Sequence, residues 1–412
     1  MTKDTILVIE PDFSGHRWRY AEWAAQAYIE AGYRCVIVTS SANATHPLAQ
    51  RLAAAGLADL QITFVEEPTD APRTGLGSIT YVRYVRLFQH LYRTVSREYG
   101  VALVMVPYAD YFLYALPFFG SPFGTTPWAG ITMRSTFHHH EAGVRAPRRP
   151  LVNAVKAQLF RRAIRARGLK TLLTIDPTLV DWCASHPEAG AAPVQYLADP
   201  SPDARLTDPL LARQKLGLSA HRQYVLVYGA ISERKGVYEL VEALNVRDDA
   251  PTLVIAGSQD MNARATLQKA LAQLSPSPVV LDRFIDNDTE DALFSACDVV
   301  WLGYKGHYGM SGVLVQAYRF GKPVIATADG LIGWFCRDGA LGPLIDDLST
   351  DSINTALDTA LDPDIISPQA GVAGHLLERN TLAHFKLTLQ SVMRENPDVQ
   401  AQSSLQPRAA AT

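Results

Sequence analysis

Between an apolar run ending at Tyr228 and a helical pattern beginning at Val237 lie Ser232, Glu233, Arg234, Lys235 and Gly236. Backbone N–H groups at a helix N-terminus attract anions, and two adjacent cations strengthen that preference for a phosphate. A solvated basic turn would look the same, so this segment is weighed together with a second one. Tyr308-Gly309-Met310-Ser311-Gly312 opens another helix, and the small residues Gly309, Ser311 and Gly312 let a ligand approach the backbone closely. Two anion-ready loops, each after a strand, suit the two phosphates of a diphosphate.

Three further places carry candidate chemistry. Ser14-Gly15-His16 follows the first apolar run; Gly15 suits a turn with positive φ, and His16 is either a cap or a ligand. His138-His139-His140-Glu141 is a poor metal template, because three consecutive histidines cannot point one way and the i, i+4 spacing is missing. The alternatives there are a ligand-touching ring, with His138 as the candidate, or a solvated loop. Asp286-Asn287-Asp288 has the spacing of a metal-binding acid pair, but acids in the first turn suit a cap on the helix near Thr289. No required metal is expected.

The elements that would position these residues alternate. Thr5 to Glu10 reads as a buried strand, Tyr20 to Ala31 as a helix closed by Gly32, and Cys35 to Thr39 as a second strand. That βαβ unit implies a parallel sheet. Val101 to Val106 and Thr171 to Ile175 continue the series. It restarts at Tyr224–Tyr228, with strands at Thr252–Ala256, Val279–Leu281, Val299–Leu302 and Pro323–Ala326. The fold class is therefore α/β, with two doubly wound domains. Their expected bounds are 1–199 and 223–375, joined by a linker and short helix over 200–222. A C-terminal helix over 376–396 and a loose tail over 397–412 complete the chain. In such sheets ligands bind at the carboxyl ends of the strands, so the two domains are expected to face each other across a cleft.

Composition excludes several classes. The chain has 412 residues, 48% of them hydrophobic, which suggests two or three domains and excludes general disorder. A formal charge of −3 argues against a dedicated nucleic-acid binder. The four cysteines show no CxxC spacing, so neither a disulfide framework nor a zinc site is expected. No apolar run reaches the roughly 20 residues of a membrane helix, and the N-terminus lacks signal-peptide features. A cytoplasmic protein is expected, with peripheral attachment at the inner face of the membrane as an open alternative.

The chain resembles the retaining, nucleotide-sugar-dependent glycosyltransferases of group 1, which have the two-Rossmann GT-B fold. The resemblance rests on Ser14-Gly15-His16, Arg234-Lys235-Gly236, Ala296-Cys297-Asp298-Val299-Val300, Gly321-Lys322-Pro323-Val324 and Gly330-Leu331-Ile332-Gly333, in that order. It implies an N-terminal acceptor side, a C-terminal donor side, a nucleotide diphosphate sugar as co-substrate and no metal cofactor. It also implies a hexosyltransferase-type reaction at an acceptor hydroxyl with retention of configuration, in polysaccharide or glycoconjugate synthesis. Lys235, Arg234 and His138 are the catalytic candidates; Gly15, His16, Gly229, Phe284, Tyr308, Ser311, Gly312 and Gln316 are the donor-binding ones. The partners expected are the sugar nucleotide and an acceptor that is a glycan, a lipid-linked glycan or a small molecule.

The sequence departs from that family at its Glu-x7-Glu donor motif, where Tyr308 and Gln316 stand. Ala230 also replaces an Arg that usually follows the first glycine of the phosphate loop. A catalytically silent sugar-nucleotide binder is one alternative; a nucleotide-sugar epimerase or hydrolase is another. From Ala142 to Ile175 the chain holds Arg145, Arg148, Arg149, Lys156, Arg161, Arg162, Arg165, Arg167 and Lys170, and only Glu141 before it and Asp176 after it are acidic. Val152, Val155, Leu159 and Ile164 can share one helix face there. The stretch reads either as a core-packed helix with a basic face or as membrane-surface contact through 145–170.

Overall fold

The computed structural model describes residues 3–13, 17–68, 78–201, 204–260, 264–338, 340–362 and 374–394. The expected tail over 397–412 lies outside them. Two sheets organise the chain. The first contains β1 (Thr5–Ile9), β2 (Arg34–Ser40), β3 (Leu60–Val65), β4 (Val101–Val106), β5 (Trp128–Thr132), β6 (Leu169–Thr174) and β7 (Val194–Tyr196), in the order β3-β2-β1-β4-β5-β6-β7. The second contains β8 (Tyr224–Tyr228), β9 (Thr252–Ala256), β10 (Val279–Leu281), β11 (Val299–Leu302), β12 (Val324–Thr327) and β13 (Leu344–Ile345), in the order β10-β9-β8-β11-β12-β13. Pairing is parallel, as in β1 with β2 and β4, and β8 with β9 and β11.

Each sheet reverses direction once, beside its first strand. From β1 the chain builds outward through β2 and β3, then returns to β4 on the other side; from β8 it does the same through β9 and β10 before β11. The loops after the two strands flanking each reversal splay apart, which leaves a crevice at their carboxyl ends. Central strands are apolar on both faces because helices cover both: β1, β9 and β11 are buried at every residue. In the second sheet, Leu226, Val254, Val300 and Val324 pack on one face, and Val225, Val227, Leu253 and Ile255 on the other.

Several motif residues hold this framework rather than a ligand. Asp298, just before β11, accepts two hydrogen bonds from Arg213 Nη2 at 2.8 and 2.9 Å and one from the Tyr224 N–H at 2.7 Å, tying β8 to β11. Lys322 Nζ donates to the Ser295 carbonyl at 3.0 Å. Asp286 caps the helix Asn287–Ala296, accepting from the Thr289 N–H and hydroxyl, both at 2.9 Å, as its sequence position suggested. All four cysteines are free. No helix among the described residues is long and apolar enough to cross a membrane.

Candidate functional site

At the reversal point of the second sheet, the loop after β8 meets the loop after β11. Glu233–Lys235 forms a single 3-10 turn and Gly236 follows in the left-handed region at φ 62°, before the helix Val237–Asn245. A Cβ on Gly236 would lie 2.2 Å from the Gly303 carbonyl oxygen, so glycine is what lets the two loops touch. The Trp301 indole N–H donates to the Lys235 carbonyl at 2.8 Å, fixing the turn against β11.

That geometry buries Lys235. Its Nζ donates to the Tyr228 carbonyl at 2.6 Å and to the Tyr304 hydroxyl at 2.8 Å, and lies 4.5 Å from the Tyr304 ring centroid. Only 7% of the residue is exposed, and no carboxylate pairs with it among the described residues. An ammonium has three N–H donors, so one remains for a ligand.

Arg234 sits beside it and is exposed. Its guanidinium donates to His307 Nδ1 at 3.2 Å, while His307 Nε2 donates to the Met310 carbonyl at 3.2 Å. The partners fix the tautomer, because Arg can only donate and a carbonyl can only accept. Burial lowers the His307 pKa, and the Arg234 and Lys235 charges reinforce this against the Met310 bond, so the ring stays neutral. Arg234 and the 308–312 loop are thereby joined through His307. The Lys305 N–H also donates to the Arg234 carbonyl at 2.7 Å.

The second loop starts the helix Gly312–Arg319, with Ser311 as its cap accepting from the Val313 N–H at 3.3 Å. Tyr308 is half-buried, and its carbonyl accepts from the Leu331 N–H at 3.1 Å. Gly330 makes room for it: a Cβ there would stand 2.5 Å from Tyr308 Cα. One turn into the helix, Gln316 Nε2 donates to Glu290 Oε1 at 2.9 Å, while Gln316 Oε1 is buried without a partner. Gly229 lies directly after β8 at φ 93°, and Phe284 is 76% exposed in the loop after β10. The structure thus brings together Gly229, Lys235, Arg234, Tyr308, Ser311, Gly312 and Gln316 around one sheet's carboxyl edge. Tyr304, His307 and Glu290 join them without having been singled out in the sequence.

In the N-terminal unit, Gly15 and His16 lie outside the described residues. Glu10, the residue after β1, is fully buried, accepting from the Tyr111 hydroxyl at 3.0 Å and the Asp12 N–H at 3.1 Å. Its other oxygen has no partner. Arg17 donates to the Tyr111 hydroxyl at 2.7 Å, pairs with Asp12, and lies over the Tyr108 and Tyr111 rings. Burial pushes the Glu10 carboxyl up to about 8, against the Asp12 N–H, Arg17 and Tyr111.

His138 is placed inside the protein, with none of it exposed. His138 and His139 each donate Nε2–H to Asp176 Oδ2 at 3.0 Å, and Asp176 Oδ1 accepts from the Thr178 N–H and hydroxyl at 2.9 and 2.6 Å. Burial would raise the Asp176 pKa, but the two imidazoles hold it well below the usual carboxylate range. Burial lowers the His138 pKa more than Asp176 raises it, which keeps that ring neutral. The ligand atoms of His138, His139 and Asp176 cluster within 4.8 Å. The carboxylate's four hydrogen bonds account for both of its oxygens, while His138 Nδ1 and His139 Nδ1 are buried without a partner.

Residues 211–370, which carry the whole Lys235–Gln316 arrangement, match the family described as glycosyl transferases group 1. They are a group 1 glycosyltransferase domain. Two curated relatives agree with that membership. The lipopolysaccharide core biosynthesis glycosyltransferase LpsE of Rhizobium meliloti is 27% identical over 163 residues, 40% of this chain and 46% of its own length. The D-inositol 3-phosphate glycosyltransferase of Mycolicibacterium vanbaalenii is 28% identical over 209 residues, 48% of this chain and 43% of its own length. The chain therefore spans less than half the length of these relatives.

Solved structures extend the likeness in fold over nearly all of the chain. Sucrose-phosphate synthase from Thermosynechococcus elongatus superposes with a TM-score of 0.69 at 15% identity, covering 97% of this chain and 100% of that one. Anabaena Alr3699/HepE, solved in complex with UDP and glucose, gives 0.61 at 16% identity over 95% and 99%. With the two parallel sheets, these likenesses establish the GT-B fold around the glycosyltransferase domain.

Proposed function

We propose that the chain transfers a sugar from a nucleoside diphosphate sugar to an acceptor hydroxyl, with retention of anomeric configuration. The observation carrying this reading is Lys235, a buried ammonium without a carboxylate partner among the described residues. An unpaired buried charge is costly, so a site that keeps one is suited to receive the opposite charge. Two helix N-termini, at Val237 and Gly312, open from the same loops and favour the same anion.

In this reading, negative charge grows on the departing diphosphate as the bond to the sugar breaks. Lys235 neutralises it from a fixed position, Arg234 assists from the loop that His307 holds, and the backbone around Ser311 and Gly312 contributes N–H groups. A preorganised donor of this kind is worth about 3–4 kcal/mol. Gln316 contacts the nucleotide side of the donor, while His138, buried on Asp176, is left out of the reaction. The chain's own cations do this work, and no metal is required. A hexose is the expected sugar, and UDP is the first nucleotide to test, because the HepE structure of the same fold was solved with it. The LpsE likeness favours an acceptor in glycoconjugate synthesis.

Thermal-shift titration with UDP, GDP, ADP and TDP, repeated with EDTA, tests the donor site. A ligand at 100 times its Kd stabilises by about 2.7 kcal/mol, which moves a domain of this size by roughly 5–10 °C. A shift with one nucleotide, indifferent to EDTA and lost in Lys235→Ala, is the expected result. No shift at millimolar nucleotide would end this reading. Binding without turnover against a broad acceptor panel would instead favour a silent binder, which the replacement of the Glu pair by Tyr308 and Gln316 makes the specific rival.

A further inference from the structure

The helix Pro150–Ala163 turns its hydrophobic residues in two directions. Phe160 and Ala163 are buried, and Phe160 packs on Phe137 at 5.2 Å between ring centroids. Leu151, Val152 and Val155, by contrast, are 82%, 49% and 60% exposed. At about 100° per residue, Leu151, Val155 and Arg162 fall on one line along the helix. This outer face also includes Gln158 and carries no acid. The expected shared stripe of Val152, Val155, Leu159 and Ile164 is therefore split, since Ile164 is buried and the two valines face outward.

Charge decides what such a face can meet. Arg161 and Arg165 both reach Glu188, at 3.7 and 3.3 Å, and share its single carboxylate. Arg148, Arg149 and Arg162 are exposed, with no acidic partner among the described residues. We infer that this helix docks on an anionic lipid surface, with Leu151, Val152 and Val155 entering the acyl boundary and Arg148, Arg149 and Arg162 at the phosphates. An apolar strip flanked by unpaired guanidinium groups complements a layer of anionic headgroups above hydrocarbon. A neutral apolar partner would leave three cations unpaired, and an anionic soluble partner would leave the three aliphatic side chains in water. The inference does not depend on the proposed transferase activity, although it would bring the enzyme to a membrane-presented acceptor.

The test is co-sedimentation of the full chain with phosphatidylcholine vesicles made with and without phosphatidylglycerol. The expected result is binding to the anionic vesicles only, weakening as salt is added. Each arginine near a charged surface contributes roughly a kcal/mol, so the triple variant Arg148→Glu/Arg149→Glu/Arg162→Glu should lower partitioning by at least about a hundredfold. Leu151→Ser/Val155→Ser should lower it by about tenfold. Both variants change exposed side chains, and an unaltered melting temperature checks that each still folds. Absence of binding to anionic vesicles, or undiminished binding by either variant, overturns the inference. The nucleotide titration on the same preparations separates the two proposals: vesicle binding without any nucleotide shift would sink the donor reading and leave this one standing.

Discussion

Gln316 donates its side-chain amide to Glu290 across two helices at 2.9 Å, so a carboxylate stands beside the helix Gly312–Arg319, which carries none of its own. Gln316→Glu would replace that donor by a second carboxylate at hydrogen-bond distance. We expect a loss of about 1–3 kcal/mol in urea denaturation. The loss should be reversed when Glu290→Gln is added, because the exchange restores one donor and one acceptor. Additive losses in the double variant would show that the pair is not coupled.

Lys235 offers a sharper test, because the proposed function assigns its burial to a ligand and not to the fold. Lys235→Met keeps the length and removes the charge. Without ligand, the variant loses the bonds to Tyr228 and Tyr304 but no longer desolvates a charge that has no carboxylate partner, so its stability should stay within about 1–2 kcal/mol of the wild type. Its turnover should fall by at least about a hundredfold, the scale of one lost preorganised donor. A variant that is strongly destabilised yet still turns over would reassign Lys235 to the framework.

Sequence reading found the residues that one segment supplies and missed those that topology brings in. Arg234, Lys235 and Gly236 are consecutive, and a strand–loop–helix pattern places them at a strand's carboxyl end. Tyr304 and His307 reach them only because β11 lies beside β8, and strand order is not written in local spacing. Glu290 lies 26 residues from Gln316 and looked like an ordinary first-turn acid. The strand Leu60–Val65 went unseen because it sits at a sheet edge and includes Gln61 and Thr63 within a half-exposed run. His138 had the opposite history. Its local sequence suggested a ligand-touching ring or a solvated loop, whereas Asp176, 38 residues later, gives it a buried partner.

Asp176 should be among the most sensitive positions for stability. It caps the helix Pro177–Ser185 and accepts from both His138 and His139 in the interior. Asp176→Ala would strand the buried His139 N–H, leave His138 only the Thr178 hydroxyl at 3.1 Å, and remove a cap. The expected cost is about 3–5 kcal/mol, the scale of breaking a buried polar pair. Asp176→Asn keeps one acceptor oxygen and should cost less. Equal melting temperatures for Asp176→Ala and wild type would mean that the network contributes nothing.

Glu10 should give the protein a pH dependence of the opposite sign to that of a paired carboxylate. Its ordinary value of 4.5 is pushed up to about 8, chiefly by burial. Between those values the folded chain keeps a proton that the unfolded chain releases. The stabilisation is therefore complete below about pH 4.5 and is lost as pH rises through 8. Glu10→Gln has the same shape and cannot titrate. Its melting temperature should lie close to the wild type's near about pH 5 and rise above it near about pH 9, where the wild type must bury a charge beside Tyr111. A gap between the two proteins that stays constant from acid to base would mean that Glu10 does not hold its proton in the folded state.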